Sequence, residues 1–97
     1  MPDYLVAYDM STITSDGVNR LRRVAKICEG YGVRVQWSVF ECVISRADMV
    51  KMTAELAGVI DAVADSVRIY PLANDMRETV LKLGRNGPPD IRDPLVL

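Results

Sequence analysis

Residues 4–9, Tyr-Leu-Val-Ala-Tyr-Asp, form an apolar run rich in β-branched and aromatic types that stops on a carboxylate. Six residues suit a strand better than a buried helix, and the lack of polar alternation reads as a central strand covered on both faces. A strand of that kind dictates its company, because other strands must flank it and helices must cover it. The remaining pattern supplies both. Ser11 to Asp16 is a polar connector, with Met10-Ser11-Thr12 read as a flexible turn and Ser15 and Asp16 as the best-placed helix N-caps. From there to about Gly30, Val18, Leu21, Val24, Ala25 and Cys28 recur on one stripe at helical spacing. Gly30 and Gly32 supply the stop and the turn.

Residues 33–36 and 38–44 read as two short strands or one bent strand. Arg46 to Ile60 is a second amphipathic helix with Met49, Met52 or Thr53, Leu56 and Ile60 facing inward. Residues 65–72 alternate polar and apolar as a strand that Pro71 places at an edge or an end. The order strand, helix, strand, strand, helix, strand defines an α+β, ferredoxin-like βαββαβ fold. Its antiparallel four-stranded sheet carries both helices on one face. Residues 1–84 are assigned to this domain and residues 85–97 to a C-terminal tail. The breaker Arg85-Asn-Gly-Pro-Pro-Asp opens the tail, and its apolar end, Pro94-Leu-Val-Leu, either frays or adds a strand to a sheet edge at a dimer interface. A sheet with helices on one face leaves the other to be covered, and a second copy of the chain is the simplest cover.

Ninety-seven residues with 49% hydrophobic and 26% charged side chains fit one domain with a real core. A net charge of −1 argues against coating nucleic acid by bulk charge, so any such contact depends on local clusters. No apolar run is long enough for a membrane span, and Met-Pro-Asp-Tyr has no signal-peptide character. A cytoplasmic location is expected. The chain contains no histidine, which removes imidazole catalysis and imidazole metal ligation. Cys28 and Cys42, without a CxxC spacing, read as buried thiols, with a disulfide or redox pair as the alternative.

The carboxylate that closes the first strand, Asp9, emerges at the rim of the sheet. A hard cation such as magnesium can be held by one or two carboxylates while keeping most of its waters. Two Asp9 side chains across a two-fold axis could share such an ion, which would activate water or stabilise a phosphoryl transition state. The other reading is that Asp9 caps the following loop. Arg20, Arg22, Arg23 and Lys26 form a cationic cluster free of anions over residues 17–28. At helical periodicity the last three lie opposite the apolar stripe and Arg20 flanks it. Guanidinium forks match phosphate oxygens, and a solvated helix face is the competing use. Arg34, opening a strand, could reach phosphate; Phe40 could stack or fill the core. Trp37 and Tyr70 read as packing.

Taken together, Tyr8-Asp9 at a strand end, the helix from Arg20 to Cys28, Tyr31-Gly32 and Val35-Gln-Trp-Ser-Val-Phe-Glu resemble the small CRISPR-associated adaptation protein. This is the endonuclease-like subunit that partners the spacer integrase. The similarity spans roughly residues 4–84, and the tail ending Pro94-Leu-Val-Leu looks like the subtype I-C group. The resemblance implies a ferredoxin-like homodimer in which Asp9 and its symmetry mate flank Mg2+ or Mn2+. It also implies that prespacer duplex DNA lies on a basic surface between integrase dimers, and that the subunit has metal-dependent endonuclease activity on DNA or RNA. Carried across by motif, Tyr8 and Asp9 fall at the catalytic site, while Arg34 and Phe40 occupy functional positions. Arg20, Arg22, Arg23 and Lys26 match the basic helix only as a region. The expected function is therefore a dimeric adaptation protein that binds duplex DNA and cleaves through Asp9. Two rivals are a stand-alone toxin-type ribonuclease of the same fold and an architectural adaptor without catalysis.

Overall fold

The computed structural model describes residues 1–73, 81, 83 and 84, and within them the chain runs β1 (Asp3–Asp9), α1 (Ser15–Glu29), β2 (Val33–Gln36), β3 (Val39–Val43), α2 (Arg46–Ala57) and β4 (Ser66–Leu72). The sheet order is β2-β3-β1-β4 with every neighbouring pair antiparallel, which is the ferredoxin-like arrangement expected from the order of elements. The proposed tail from residue 85 lies outside the described residues, as does any strand it contributes.

β1 is central because it alone has two long partners: Asp3 to Ala7 pair with Val43 to Val39, and Asp3 to Asp9 pair with Leu72 to Ser66. The period of two sends Tyr4, Val6 and Tyr8 to one face, with Phe40 and Cys42 of β3 beside them. Val24 and Cys28 from α1 and Met52 and Leu56 from α2 close over that layer, and Val6, Phe40, Cys42 and Met52 are wholly buried. Burying Phe40 and Met52 contributes roughly 2–3 kcal/mol each by transfer of apolar surface.

The opposite face is the one that the sequence expectation leaves to a second copy of the chain. Leu5 and Ala7 are only half-buried, Val33 is 58% exposed, and Tyr70 is 41% exposed, because both helices pack on one side of the sheet. Among the described residues β1 is thus central by pairing and covered on one face.

Local details shift by a residue or a turn. The N-cap of α1 is Thr14, whose backbone is extended and whose hydroxyl accepts the Gly17 N–H at 3.1 Å; Ser15 and Asp16 are already helical. Ser45 caps α2 through the Asp48 N–H. That helix ends at Ala57 rather than Ile60, with Gly58 as its C-cap. Met52 faces inward and Thr53 outward, its hydroxyl donating to the Met49 carbonyl at 2.8 Å. At Gly32 the chain passes so close to β3 that an added Cβ would lie 2.5 Å from the Cys42 sulfur and the Glu41 carbonyl. Glycine is required there by space rather than by backbone angle.

Cys28 and Cys42 are free, buried thiols, in line with the first of the two sequence expectations. Burial pushes Cys28 up to about 12 and raises Cys42, so neither is a thiolate near neutral pH.

Candidate functional site

Asp9 ends β1 opposite Ser66 of β4, exposed and on the face of the sheet that the helices leave bare. Tyr8 points the other way, into the core, where its ring stacks on Phe40 with centroids 6.2 Å apart. The Tyr8 N–H donates to the Ser38 carbonyl at 3.0 Å, and its hydroxyl donates to the Trp37 carbonyl at 3.3 Å. The β2–β3 turn is therefore pinned to Tyr8 from two sides. Burial raises the Tyr8 phenol above its ordinary value against the pull of the Arg34 charge, which keeps it a proton donor rather than a base.

Arg34 lies across from Phe40 in the ladder, with its guanidinium carbon 5.1 Å from the Phe40 ring centre and Nη2 at 3.9 Å from the Glu29 carboxylate. Tyr8, Phe40 and Arg34 thus form one stack on the helix side of the sheet. Three of the residues singled out from sequence come together there. Asp9 is not among them, because adjacent strand residues face opposite sides.

The basic helix also divides. Arg22, Arg23 and Lys26 are exposed along α1, as a phosphate-facing surface requires. Arg20 departs from that expectation. Its Nε donates to Asp65 Oδ2 at 2.7 Å and its Nη2 donates to Oδ1 at 3.4 Å. The Asp65 side chain is fully buried, so Arg20 is the partner of a desolvated carboxylate and is not available to nucleic acid.

From sequence, Asp65 reads only as the first residue of a strand. In the fold it joins three segments. It takes the two donors from Arg20, the Ser11 N–H at 3.1 Å and the Asp61 N–H at 2.8 Å. Arg20, with help from those backbone donors, holds its carboxyl at about 2. The turn after Asp9, expected to be flexible, is consequently tied down. The Ser11 carbonyl packs so tightly on α1 that a Cβ at Gly17 would collide with it. No local sequence signal links Ser11 to a residue 54 positions away.

For a divalent cation the donor set is small. Among the described residues no group of three or more Cys, Asp and Glu side chains gathers, so these residues by themselves build no cage. An exposed strand-end carboxylate does suit a hard cation that retains most of its water, and Asp9 is the residue that would hold it. Such an ion supplies an activated water and charge stabilisation at phosphorus.

An antiparallel βαββαβ sheet with both helices on one face places the chain among small ferredoxin-like proteins. The family description "CRISPR associated protein Cas2" matches residues 1–80, and the chain belongs to the Cas2 family. It is 42% identical over 92 residues to the CRISPR-associated endonuclease Cas2 of Halalkalibacterium halodurans, covering 95% of this chain and 96% of that one. It is 43% identical over 93 residues to the CRISPR-associated endoribonuclease Cas2 of Chlorobaculum tepidum, covering 96% and 97%. The crystal structure of Streptococcus pyogenes Cas2 at pH 6.5 superposes with a TM-score of 0.78 at 45% identity, covering 84% of this chain and 99% of that one. The names of both relatives carry the nuclease activity that the sequence resemblance implies, one without a stated substrate and one with RNA. No helix among the described residues is long and apolar enough to cross a membrane.

Proposed function

We propose that this protein is a nuclease of CRISPR adaptation that cleaves phosphodiesters through Asp9 with Mg2+ or Mn2+. It works as a homodimer that binds duplex DNA together with the spacer integrase. The observation that carries this reading is the exposed Asp9 carboxylate on the bare face of the sheet. A second copy laid on that face would cover Leu5, Ala7 and Val33 and bring a second Asp9 toward the first. This supplies a second carboxylate beside the first. Arg22, Arg23 and Lys26 give the duplex a cationic face, and phosphate contacts of this kind select shape rather than sequence. Assignment to the subtype I-C group rests on the sequence resemblance alone.

The small donor set favours a second reading, an adaptor that scaffolds the integrase and DNA without cleaving. RNA is the substrate in the ribonuclease alternative, stand-alone or not. One matched experiment separates them: cleavage of duplex DNA and of RNA, and integrase co-purification, with wild type and Asp9→Ala. The nuclease reading expects cleavage to fall at least 100-fold in Asp9→Ala and to stop with chelator while the thermal midpoint holds. Cleavage that survives both treatments overturns it. Absence of cleavage with intact co-purification in both proteins leaves the adaptor standing.

A further inference from the structure

We propose that Asp65, locked by Arg20, is the positioning residue of the Asp9 rim. It holds the connector leaving β1 so that the Asp9 carboxylate is presented in a single geometry. The inference rests on the metal-dependent reading above and extends it to residues outside the rim.

Asp9 has two sources of restraint, one on each side along the chain. Behind it, β1 is zipped to β4 down to the Asp9–Ser66 pair. Ahead of it, Ser11 is gripped through its N–H by Asp65, the residue next to Ser66. The Ser11 carbonyl is backed by α1 at Gly17, three residues past the Thr14 cap. Asp65 can serve as this post because it cannot turn: its two oxygens accept four N–H groups from α1, the β1–α1 connector and the loop before β4. The last of these loops is itself braced, since the Asp65 N–H donates to the Asp61 carbonyl at 2.8 Å and Asp61 Oδ1 accepts from Val63 and Ala64.

A buried ion pair is a poor device for stability, because desolvation offsets most of the attraction and an apolar substitute of similar volume often does as well. Its asset is a fixed orientation. Groups that orient a metal ligand from outside its immediate shell commonly change metal affinity or activity by about tenfold to 100-fold when replaced. A rim for which the described residues offer Asp9 and no cage depends on such support more than a full cage does.

The test uses the full chain with MnCl2 as the probe. Asp65→Asn leaves one acceptor oxygen, which cannot serve both Arg20 Nε and the Ser11 N–H from opposite sides. Amide exchange at Ser11 reads the grip, and Mn2+-induced broadening of the Asp9 and Met10 amide signals reads the rim. The expected result for Asp65→Asn is Ser11 exchange at least tenfold faster and a Mn2+ midpoint at least fivefold higher, with the Tyr4 to Ala7 amides unchanged. Arg20→Gln is the second variant, carrying the same expectation if Asp65→Asn does not fold. Faster Ser11 exchange with an unmoved Mn2+ midpoint overturns the proposal, as does unmoved exchange. Asp9→Ala keeps the two readings apart. A wild type that Mn2+ leaves untouched sinks the metal reading and this inference together. A wild-type response abolished by Asp9→Ala but unaltered in Asp65→Asn sinks the inference alone.

Discussion

Tyr8 and Asp9, joined by one peptide bond, stand on opposite faces of the sheet. The tyrosine ring lies in the core beside Phe40 and the aspartate is open to solvent. A shared chemical step for the two side chains of one copy has no geometric basis, and the motif Tyr-Asp is better understood as a packed anchor preceding an exposed acid. Tyr8→Phe keeps the ring and removes the hydroxyl, with its 3.3 Å hydrogen bond to the Trp37 carbonyl and its hydrogen bond with Arg34. The expected cost is about 1 kcal/mol in chemical denaturation, with cleavage within threefold of wild type. A folded Tyr8→Phe protein whose kcat drops by two orders of magnitude would put the phenol in the chemistry after all.

Phe40 is the keystone of the stack, since its ring stacks on Tyr8 and also carries the Arg34 guanidinium. Truncating a wholly buried phenylalanine to alanine leaves a cavity and should cost about 3–5 kcal/mol. Phe40→Leu fills more of the space than alanine and should lose less, while still releasing Arg34 from its cation–π contact, which is worth roughly 0.5–2 kcal/mol. Urea unfolding of Phe40→Ala and Phe40→Leu, each with Arg34 and with Arg34→Gln, separates cavity from cation. Identical losses with and without the Arg34 charge would mean that the guanidinium contributes nothing through the ring.

Much of this architecture was legible because it depends on short-range periodicity. The all-apolar 4–9 run, the stripe ending at Val24 and Cys28, and the alternation over 65–72 each fix an element and its inward face. What stayed illegible depends on contacts between distant segments. The Arg20–Asp65 pair spans 45 positions, and without it Arg20 looks like one more cation in a row of four. Its position toward the flank of the apolar stripe was the available hint. Asp9 was identifiable as a strand-end acid. Its separation from Tyr8, Phe40 and Arg34 follows from strand parity once the β1 register is known.

The division of the basic helix predicts unequal effects on DNA binding. Reversing Arg22, Arg23 and Lys26 to glutamate should weaken binding to duplex DNA and flatten the salt dependence of its affinity. The slope should drop by ~0.9 for each phosphate that the helix no longer neutralises. Arg20→Gln should leave that slope in place, because its guanidinium is spent on a buried carboxylate. Titrations at several salt concentrations measure both. A slope indifferent to the triple reversal would remove α1 from the DNA-binding surface.

Asp65 also sets an acid limit on stability. Its carboxyl titrates at about 2 in the fold, beside Arg20 and the backbone donors, and at about 4 in an unfolded chain. A depressed folded value means that the unfolded chain binds the proton first, so folding gains from this group above pH 4 and loses that gain as pH falls from 4 toward 2. Other carboxylates titrate over the same range, which makes the comparison with Asp65→Asn the informative one. The variant should melt below wild type at pH 6, and the gap between the two midpoints should narrow through pH 4 and be smallest near pH 2. A gap that stays constant across that range would show that the loss in the variant comes from packing and not from the charge that Arg20 holds.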